Sequence, residues 1–333
     1  KFLAQINQQK KYIKENLKLK IRVIGVSNSR QMFFDENGID LSNWKELLKN
    51  GEKAGIDTYF SRVSELNLRN SIFIDITANQ NVSEMYEAYL RQNIAVVTCN
   101  KIACASSSEN YNTLKNVSRK SNVSFLYETN VGAGLPIIDT LKNLIASGDR
   151  VHKIQAVLSG SLNFVFNKFD ASTTFSSVVK QAATEGYTEP DPKIDLSGID
   201  VARKILILAR ESGYDLELED IENNSFLSKE SLDTKNNADF YQSLENDESQ
   251  FQQLFLKSKA KNCRLKYVAE FKDGKAKVGL QEIKPSHSFY HLEGSDNIVL
   301  FYTDRYSEQP LIIKGAGAGA DVTASGIFAD VIR

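Results

Sequence analysis

The sequence is poor in several features that would each indicate a particular class of protein. Its three cysteines are odd in number and show no paired metal-ligand spacing, which argues against a disulfide framework and a zinc site. The histidines, His152, His287 and His291, are too scattered to predict a catalytic cluster. No apolar run approaches the roughly 20 residues of a membrane span, and the basic start lacks the apolar core of a signal peptide. We therefore expect reduced thiols and a cytoplasmic protein that does not insert into a membrane.

An excess of charge of one sign is also absent. The formal net charge is −1, so no strong field that would attract nucleic acid or a membrane surface is expected. Hydrophobic content of 41% and charged content of 25% are those of an ordinary globular protein, and 333 residues suffice for two domains. These values predict a globular protein without a nucleic-acid partner.

The first half of the sequence alternates apolar runs with helical segments. A segment rich in Lys and Gln at 1–19 predicts a helix, and IRVIGV within 20–26 predicts a strand buried on both faces of a parallel sheet. Further strands and the helices between them are predicted at 71–77, 94–99 and 124–129, and at 82–91 and 106–120. This alternation predicts an α/β domain of the Rossmann type, in which ligands bind at the carboxyl ends of the strands.

Several polar residues follow these strands and are candidates for cofactor binding. An acidic residue after the second strand of such a domain normally binds the ribose of NAD, whereas an Arg there accommodates the phosphate of NADP. This sequence has an Arg and no acid after Val26, which favours NADP, with NAD still possible; the alternative is a solvated loop Arg. The cofactor candidates at the strand ends are Asn28, Ser29, Arg30, Thr77, Asn79, Asn100 and Lys101.

A glycine-rich phosphate loop is missing from the start of the sequence. A dinucleotide-binding domain normally opens with a short strand and a G-x-G-x-x-G loop, and neither precedes the helix at 1–19. The glycines at 315, 317 and 319 do not replace that loop, because they lack its strand–loop–helix spacing and a P-loop lysine. We expect a Rossmann-type nucleotide-binding domain whose first strand is missing, with the loop upstream of Lys1.

The second half changes pattern and predicts an α+β domain with a mostly antiparallel or mixed sheet. A helix at 139–146 leads to a strand at 153–159, and two runs joined by an Asp-Gly turn, RLKYVAEF and AKVGLQEI, predict a hairpin. Further strands are predicted in NIVLFYT and PLIIKG. The turn Ser159-Gly160-Ser161 precedes a helix, so its N–H groups and hydroxyls suit a polar ligand, although a simple N-cap would have the same sequence.

The most unusual stretch is GYTEPDPKIDLSGIDVARK, residues 186–204. Its two prolines disfavour helix for the residues before them, so Glu189 and Asp191 are predicted in an extended, acidic loop. Ser197 is predicted as the N-cap of the helix that follows. The apolar residues with helical spacing, which predict one inward-facing side, are Ile199, Ala202, Ile205, Leu206 and Ala209.

Asp200 and Lys204 lie one turn apart on that helix. One interpretation is an ordinary solvated ion pair, worth about 0.3–0.5 kcal/mol and without function. The other is a lysine partly removed from water, because an apolar run follows it and carboxylates precede it, among them Glu189 and Asp195. Such a lysine can donate and accept a proton or anchor an anionic substrate.

At these residues the sequence closely resembles the homoserine dehydrogenases, and most of all the dehydrogenase half of bifunctional aspartokinase–homoserine dehydrogenases. The resemblance covers nearly the whole chain, and an unrelated Rossmann dehydrogenase would lack the TEPDP and DLSGIDVARK spacing. It implies NAD(P)H-dependent interconversion of L-aspartate semialdehyde and L-homoserine, in the biosynthesis of threonine and methionine. A second hypothesis is a catalytically silent substrate-binding and oligomerisation fragment of that bifunctional polypeptide.

The resemblance also implies roles for individual residues. Lys204 would donate the proton, Asp200 would orient Lys204 or its water, and Lys101 would add a second cationic contact. The implied substrate contacts are Glu189, Asp195, Ser161, Gly160 and Tyr187. Gly317 and Gly319 would close beside the nicotinamide. A sodium site is implied at 128–135, with ligands from Glu128, Val131, Ala133 and Leu135.

The implied organisation is discontinuous. Residues 1–138 and 312–333 would form the NAD(P)-binding domain, and residues 139–311 the catalytic and dimerisation domain. The resemblance further implies a homodimer or higher homo-oligomer, and an aspartokinase domain fused upstream.

Overall fold

A computed structural model describes residues 1–333. Backbone contacts divide the chain into two compact units, each formed by separate segments. The first unit contains Lys1–Ala103, Glu109–Tyr127 and Ala320–Arg333. The second contains Cys104–Ser108 and Glu128–Gly319. None of the helices combines the length and the apolar character that crossing a membrane requires.

Helices and strands alternate in the first unit, and longer strands follow in the second. The elements in chain order are α1 (Phe2–Tyr12), a π-helical turn (Ile13–Leu17), β1 (Gly25–Ser27), β2 (Gln31–Phe34), α2 (Trp44–Lys49), β3 (Glu52–Lys53), α3 (Ile56–Leu66), β4 (Ile72–Asp75), α4 (Gln80–Glu84), α5 (Tyr86–Arg91), β5 (Ala95–Thr98), α6 (Ser108–Ser121), β6 (Phe125–Leu126), a 3₁₀ turn (Glu128–Asn130), α7 (Ile138–Ala146), β7 (Val151–Val157), α8 (Gly160–Lys168), α9 (Phe175–Thr184), α10 (Pro192–Leu196), α11 (Ile199–Glu211), a 3₁₀ turn (Leu218–Asp220), β8 (Ile221–Asn224), α12 (Lys229–Leu232), α13 (Asn237–Asn246), α14 (Glu248–Ala260), β9 (Arg264–Lys272), β10 (Lys275–Ile283), β11 (Asp296–Thr303), β12 (Leu311–Ala316) and α15 (Ala320–Ile332).

A three-stranded parallel sheet, β4-β5-β6, lies at the centre of the first unit. The central strand β5 is buried at Val96, Val97 and Thr98, as expected for a parallel strand covered on both faces. α1 and α15 cover one face, where Phe2 and Ile327 pack in a cluster with Val97. The predicted parallel sheet at 71–77, 94–99 and 124–129 is therefore confirmed.

The predicted parallel strand at 20–26 is wrong. Only Gly25–Ser27 forms a strand, and it pairs antiparallel with β2, which pairs with β3 in a separate small sheet. The carbonyls of Val23 and Ile24 accept the N–H groups of Ile39 and Asp35, so they are used by the 35–39 turn and not by the parallel sheet. The apolar pattern arises because Ile21 and Val23 pack against the cluster beneath α1 and α15.

The second unit is built on a six-stranded mixed sheet in the order β12-β11-β7-β9-β10-β8. Every pair is antiparallel except β10 with β8. The hairpin of β9 and β10 turns at Asp273 and Gly274, both with positive φ, which confirms the predicted Asp-Gly turn. The mixed sheet confirms the expected fold class of this part.

Residues 128–138 and 312–319 group with the second unit. The Glu128 carboxylate accepts the N–H groups that begin α7, and β12 pairs with β11, so local hydrogen bonds hold both segments to that unit. The functional division into a cofactor domain and a catalytic domain at 138/139 and 311/312 stays a prediction.

Candidate active site

The turn before α11 is set by a glycine. Gly198 has φ 75°, in the left-handed region that glycine adopts without strain, and it is the N-cap residue of α11. A side chain there would overlap the Tyr267 hydroxyl, which donates to Asn223 Oδ1 at 2.9 Å. Asn223 Nδ2 in turn donates to the carbonyl of Ser197 at 3.0 Å. The predicted N-cap at Ser197 is therefore wrong, because contacts with distant residues determine the turn.

The same turn explains a second departure from the sequence pattern. Ile199 is 46% exposed although it belongs to the apolar stripe, whereas Ala202, Ile205, Leu206 and Ala209 are buried as expected. Ile199 is the first residue of α11 and faces solvent, so the buried part of this stripe begins about one turn later, at Ala202.

Lys204 lies in a mostly buried position at the end of β7. Its ammonium is 2.8 Å from Asp200 Oδ2 and donates to the carbonyl of Leu158 at 2.8 Å. The Lys204 side chain is only 12% exposed, against 38% for Asp200. An ordinary solvated ion pair would leave both partners in water, so this geometry favours the alternative of a partly desolvated lysine. An ammonium has three N–H groups, so one donor remains after these two contacts.

Asp195 and Ser161 form a second polar group beside it. The Ser161 hydroxyl is 2.8 Å from Asp195 Oδ1 and 2.6 Å from the carbonyl of Tyr187. The other Asp195 oxygen accepts the N–H of Glu189 at 2.8 Å. Burial raises the pKa of Asp195, the negative charge of Asp200 adds to this, and the hydrogen bonds and Lys204 oppose it. A carboxylate held in this way can accept an ammonium group from a substrate.

The loop that carries Glu189 is extended and open. The Glu189 carboxylate is exposed and makes no ion pair, so it can reach a ligand. Asp191 has the predicted extended conformation and caps α10, a short helix that was not predicted, by accepting the N–H of Lys193 at 3.0 Å. The Tyr187 ring stacks on Phe164 with centroids 4.2 Å apart, which anchors the other end of this loop to α8.

The predicted turn at 159–161 begins α8. The Ser159 hydroxyl accepts the N–H of Leu162 at 3.1 Å, a standard N-cap. Gly160 packs directly on the loop that precedes β11, because a Cβ would lie 3.0 Å from the carbonyl oxygen of Ser295. The structure therefore brings together five of the predicted residues in the second unit: Ser161, Glu189, Asp195, Asp200 and Lys204.

In the first unit the polar residues at the ends of β4 and β5 form one network around a buried carboxylate. Asp75 accepts the hydroxyl of Tyr86 at 2.6 Å and the amide of Asn100 at 3.0 Å on one oxygen, and the N–H of Thr77 at 2.7 Å on the other. The Asn100 amide also donates to the carbonyl of Asn79 at 3.0 Å. The network fixes the loops after both strands, where a ligand of such a sheet binds.

The other cofactor candidates lie in different surroundings. Asn28 and Ser29 belong to the turn between β1 and β2, where Asn28 Oδ1 accepts the N–H groups of Arg30 at 2.7 Å and Gln31 at 2.8 Å. Arg30 is exposed and forms no ion pair, so its guanidinium can meet a phosphate. Lys101 follows Asn100 in the first unit, whereas Lys204 belongs to the second.

Gly317 and Gly319 lie after β12 in the second unit. Gly317 crosses the buried side chain of Asn297 so closely that any Cβ would overlap it. Gly319 has φ 116°, a conformation that other residues rarely adopt. These glycines allow the backbone to approach its neighbours closely. Their place beside the nicotinamide stays a prediction.

The loop predicted to hold sodium uses part of its oxygen atoms internally. Both oxygens of the buried Glu128 carboxylate accept N–H groups, from Ile137 and Ile138 at 2.7 Å and Asp139 at 2.8 Å. The carbonyl of Leu135 accepts the N–H of Ile137 at 2.8 Å. Glu128 therefore acts here as the cap of α7, a contact that favours its negative charge at a helix N-terminus.

The fold and these two polar groups define an oxidoreductase-like chain, with a nucleotide-binding unit and a unit that carries a lysine among carboxylates. The chain belongs to the homoserine dehydrogenase family, whose members are NAD(P)-dependent oxidoreductases. The homoserine dehydrogenase family model matches residues 136–332, and the model of the NAD-binding domain of homoserine dehydrogenase matches residues 1–128.

Curated relatives agree with this assignment. The chain is 42% identical over 336 residues to bifunctional aspartokinase/homoserine dehydrogenase 1 of Zea mays, covering 99% of this chain and 36% of that protein. It is 37% identical over 308 residues to the homoserine dehydrogenase of Schizosaccharomyces pombe, covering 90% of this chain and 82% of that protein. The chain thus spans about two fifths of the length of the bifunctional relatives, whose names include an aspartokinase.

Solved structures show the same fold. A Candida auris protein of unknown function is 34% identical with a TM-score of 0.89, covering 99% of this chain and 93% of that one. A hyperthermophilic archaeal homoserine dehydrogenase solved in complex with NADPH is 24% identical with a TM-score of 0.75, covering 99% and 92%. The predicted family and fold class are confirmed.

Sequence reasoning missed the groups that hold the site in place. The carbonyl of Leu158 and the ring of Tyr267 are supplied by distant segments, and no local pattern predicts either contact. Asp75 was within reach of prediction, because a lone acid at the end of an apolar strand, IFID, is unusual in a buried parallel sheet.

Proposed function

We propose that this chain catalyses the NADPH-dependent reduction of L-aspartate semialdehyde to L-homoserine, and the reverse reaction. The observation that carries the proposal is the mostly buried Lys204, held by Asp200 and the Leu158 carbonyl with one N–H still available. Reduction of an aldehyde requires a hydride and a proton, and NADPH supplies the hydride when it is bound. A lysine in this setting supplies the proton to the aldehyde oxygen.

The neighbouring residues match the remaining groups of the substrate. L-Homoserine carries an ammonium group, so we assign its recognition to Glu189, which is exposed and unpaired, and to Asp195. Ser161 fixes Asp195 through a 2.8 Å hydrogen bond and also contacts the carbonyl of Tyr187. Gly160 and Tyr187 are proposed as further substrate contacts. Asp200 orients the lysine through the 2.8 Å ion pair. Lys101 is proposed as a further cationic contact.

The preference for NADP over NAD is part of the proposal. Its support is Arg30 in the β1–β2 turn, which is exposed and forms no ion pair, so its guanidinium can bind the phosphate that distinguishes NADP from NAD. The network of Asp75 and Asn100 would hold the loop with Thr77 in the shape that the nicotinamide side needs, and Gly317 and Gly319 would close on it. Replacing Arg30 with Ala should raise the KM for NADPH and leave that for NADH unchanged.

A sodium ion in the 128–135 loop is a further proposal. Its support is the pair of positive φ angles at Gly132 and Ala133, which can turn the carbonyls of Val131 and Ala133 to the same side. Activity measured at constant ionic strength in sodium and in tetramethylammonium chloride tests it. Equal activity and equal thermal stability in the two salts would remove the proposal.

The remaining proposals concern the whole protein. We propose an upstream aspartokinase, as in the bifunctional relatives, a homodimer or higher homo-oligomer, and a location in the cytoplasm. Aspartokinase assays, light scattering and microscopy of the full-length protein test these three points separately.

The direct test is oxidation of NADPH by the full-length protein in the presence of L-aspartate semialdehyde. We expect turnover that depends on both substrates and that is lost in the Lys204→Ala variant. The alternative, a catalytically silent substrate-binding and oligomerisation module, predicts a folded protein that binds L-homoserine without consuming NADPH.

A further inference from the structure

Lys266 is a charged residue that is completely buried and has no carboxylate partner. It lies on β9 with 0% exposure. Its ammonium donates to Asn163 Oδ1 at 2.8 Å, to Asn167 Oδ1 at 2.6 Å and to the carbonyl of Leu292 at 2.5 Å. A buried ammonium without a carboxylate partner costs free energy, and three neutral acceptors offset only part of that cost.

The two asparagines extend these contacts to the loop before β11 and the first residue of that strand, residues 292–296, called here the 292–296 loop. Asn163 Nδ2 donates to the carbonyls of Gly294 at 3.1 Å and Asp296 at 3.3 Å. Asn167 Nδ2 donates to the carbonyls of Leu292 at 3.1 Å and Gly294 at 3.2 Å. Because the ammonium only donates, it turns both amide oxygens toward itself and both amide NH₂ groups toward the loop. The Lys266 ammonium and the loop carbonyls therefore require the same orientation of both amides.

This loop supports the first turn of α8. Gly160 packs tightly against Ser295, where a Cβ would lie 3.0 Å from the carbonyl oxygen, so we expect a displacement of the loop to displace the helix start. The next residue, Ser161, holds Asp195 and the carbonyl of Tyr187. An unbroken series of contacts thus leads from the buried ammonium through the 292–296 loop to the substrate side of the site.

We propose that Lys266 is a positioning residue for the substrate site, whose charge fixes the 292–296 loop beneath the first turn of α8 and so keeps Ser161 and Asp195 in place. The proposal rests on the proposed function for the identity of the substrate. It does not require that Lys266 touch the substrate or the cofactor.

Lys266 loses its charge within a pH range in which the activity of the protein can be assayed. Its pKa is lowered to about 8, mainly by burial; the positive charges of Arg264 on the same strand and Lys314 on β12 contribute to the lowering, and Glu293 in the loop opposes it. α8 presents only amides to the ammonium. Above this pKa the amine has two N–H groups for three acceptors, so at least one contact to an asparagine or to Leu292 is lost.

As pH rises through the pKa of Lys266, the stability of the fold should therefore increase and the affinity for the substrate should decrease. The folded pKa lies below the unfolded value of 10.5, so between about pH 8 and 10.5 the unfolded chain binds more protons and Lys266 makes the fold more stable as pH rises. The looser loop should raise the substrate KM over the same range. A residue that served stability alone would show the first effect without the second.

The experiment measures kcat and KM for L-aspartate semialdehyde against pH in the full-length protein, with Lys266→Met as the main variant. In the unaltered protein we expect KM to rise about three- to tenfold through about pH 8, with kcat nearly constant, as for the loss of one hydrogen bond. Lys266→Met should show the high KM at every pH. Lys272→Met, an exposed lysine on the same strand, is the matched control and should behave as the unaltered protein.

Substitutions at two exposed charged neighbours change the pKa of Lys266 and leave its three hydrogen bonds in place. These variants test the proposal if Lys266→Met does not fold. Lys314→Met should move the rise in KM to higher pH, and Glu293→Gln should move it to lower pH, both at low ionic strength. A KM that is independent of pH, or that does not move in these two variants, would overturn the proposal.

A failure of the proposed function would look different. If the unaltered protein does not turn over this substrate, amide hydrogen exchange still tests the positioning. At the same pH, the backbone amides of residues 160–168 and 292–296 should exchange faster in Lys266→Met than in the unaltered protein. The amides of α14 should exchange at the same rate in both. Equal exchange in those two segments would overturn the positioning role whatever the substrate.

Discussion

Replacing Lys204 with methionine removes the ammonium while keeping the length and the apolar part of the side chain. The ammonium has two contacts, with Asp200 Oδ2 at 2.8 Å and the Leu158 carbonyl at 2.8 Å. Methionine can fill the same space, since the side chain is only 12% exposed and the helix beyond it is apolar. The substitution therefore separates loss of the proton donor from loss of packing.

The cost to stability follows from the two lost contacts. Lys204 and Asp200 lie one turn apart on α11, and Asp200 is partly exposed. Ion pairs with this spacing contribute about 0.3–0.5 kcal/mol. The unpaired carbonyl of Leu158 costs about 1–3 kcal/mol. The sum, about 1.3–3.5 kcal/mol, is below the roughly 5–15 kcal/mol that typically holds a domain together, so the variant should stay folded.

The cost to catalysis should be larger. A positioned general acid contributes about 10²–10⁴ in rate, so kcat should fall by at least about a hundredfold. The assay pairs NADPH oxidation with urea unfolding of the same preparation. Arg203→Met, the preceding residue of the same helix, is the control and should keep most of its activity. A kcat for Lys204→Met within about threefold of the unaltered protein would refute the role of Lys204.

Three further predictions follow from the same contacts. Gly198→Ala should lower the free energy of unfolding by about 3 kcal/mol, because φ is positive and the Cβ overlaps Tyr267; an unchanged urea midpoint would contradict this. Because burial raises the pKa of Asp195, the substrate KM should rise as pH falls through mildly acidic values at which an ordinary Asp stays charged. Asp195→Asn should have a high KM without that rise. Tyr86→Phe should weaken NADPH binding and lower stability by about 1–3 kcal/mol, since it removes the 2.6 Å donor to buried Asp75; unchanged NADPH titrations would argue against that network.

Local patterns predicted the elements whose burial follows from their own residues. The runs at 71–77 and 94–99 form parallel strands because a strand covered on both faces needs a continuous apolar sequence. Asp273 and Gly274 make a hairpin because both tolerate positive φ. Asp200 and Lys204 meet because residues four apart share a helix face.

Contacts between distant segments account for what local patterns did not predict. The apolar run at 20–26 packs beneath α1 and α15 and does not enter the parallel sheet, since its carbonyls pair with the turn at 35–39. Ser197 has the right side chain for a cap, but Tyr267 and Asn223 place the cap one residue later. The support of the substrate loop by Lys266 combines β9, α8 and the 292–296 loop, which no local spacing relates.

The central claim is that the chain places a proton donor beside an aldehyde that receives a hydride. The most direct measurement uses NADPH deuterated at the transferable position of the nicotinamide, with L-aspartate semialdehyde and the full-length protein. We predict homoserine carrying one deuterium on its hydroxyl-bearing carbon, in amounts equal to the NADPH consumed, and none from Lys204→Met on the same timescale. Homoserine without deuterium, or a folded protein that binds the substrate and forms no homoserine, would contradict it.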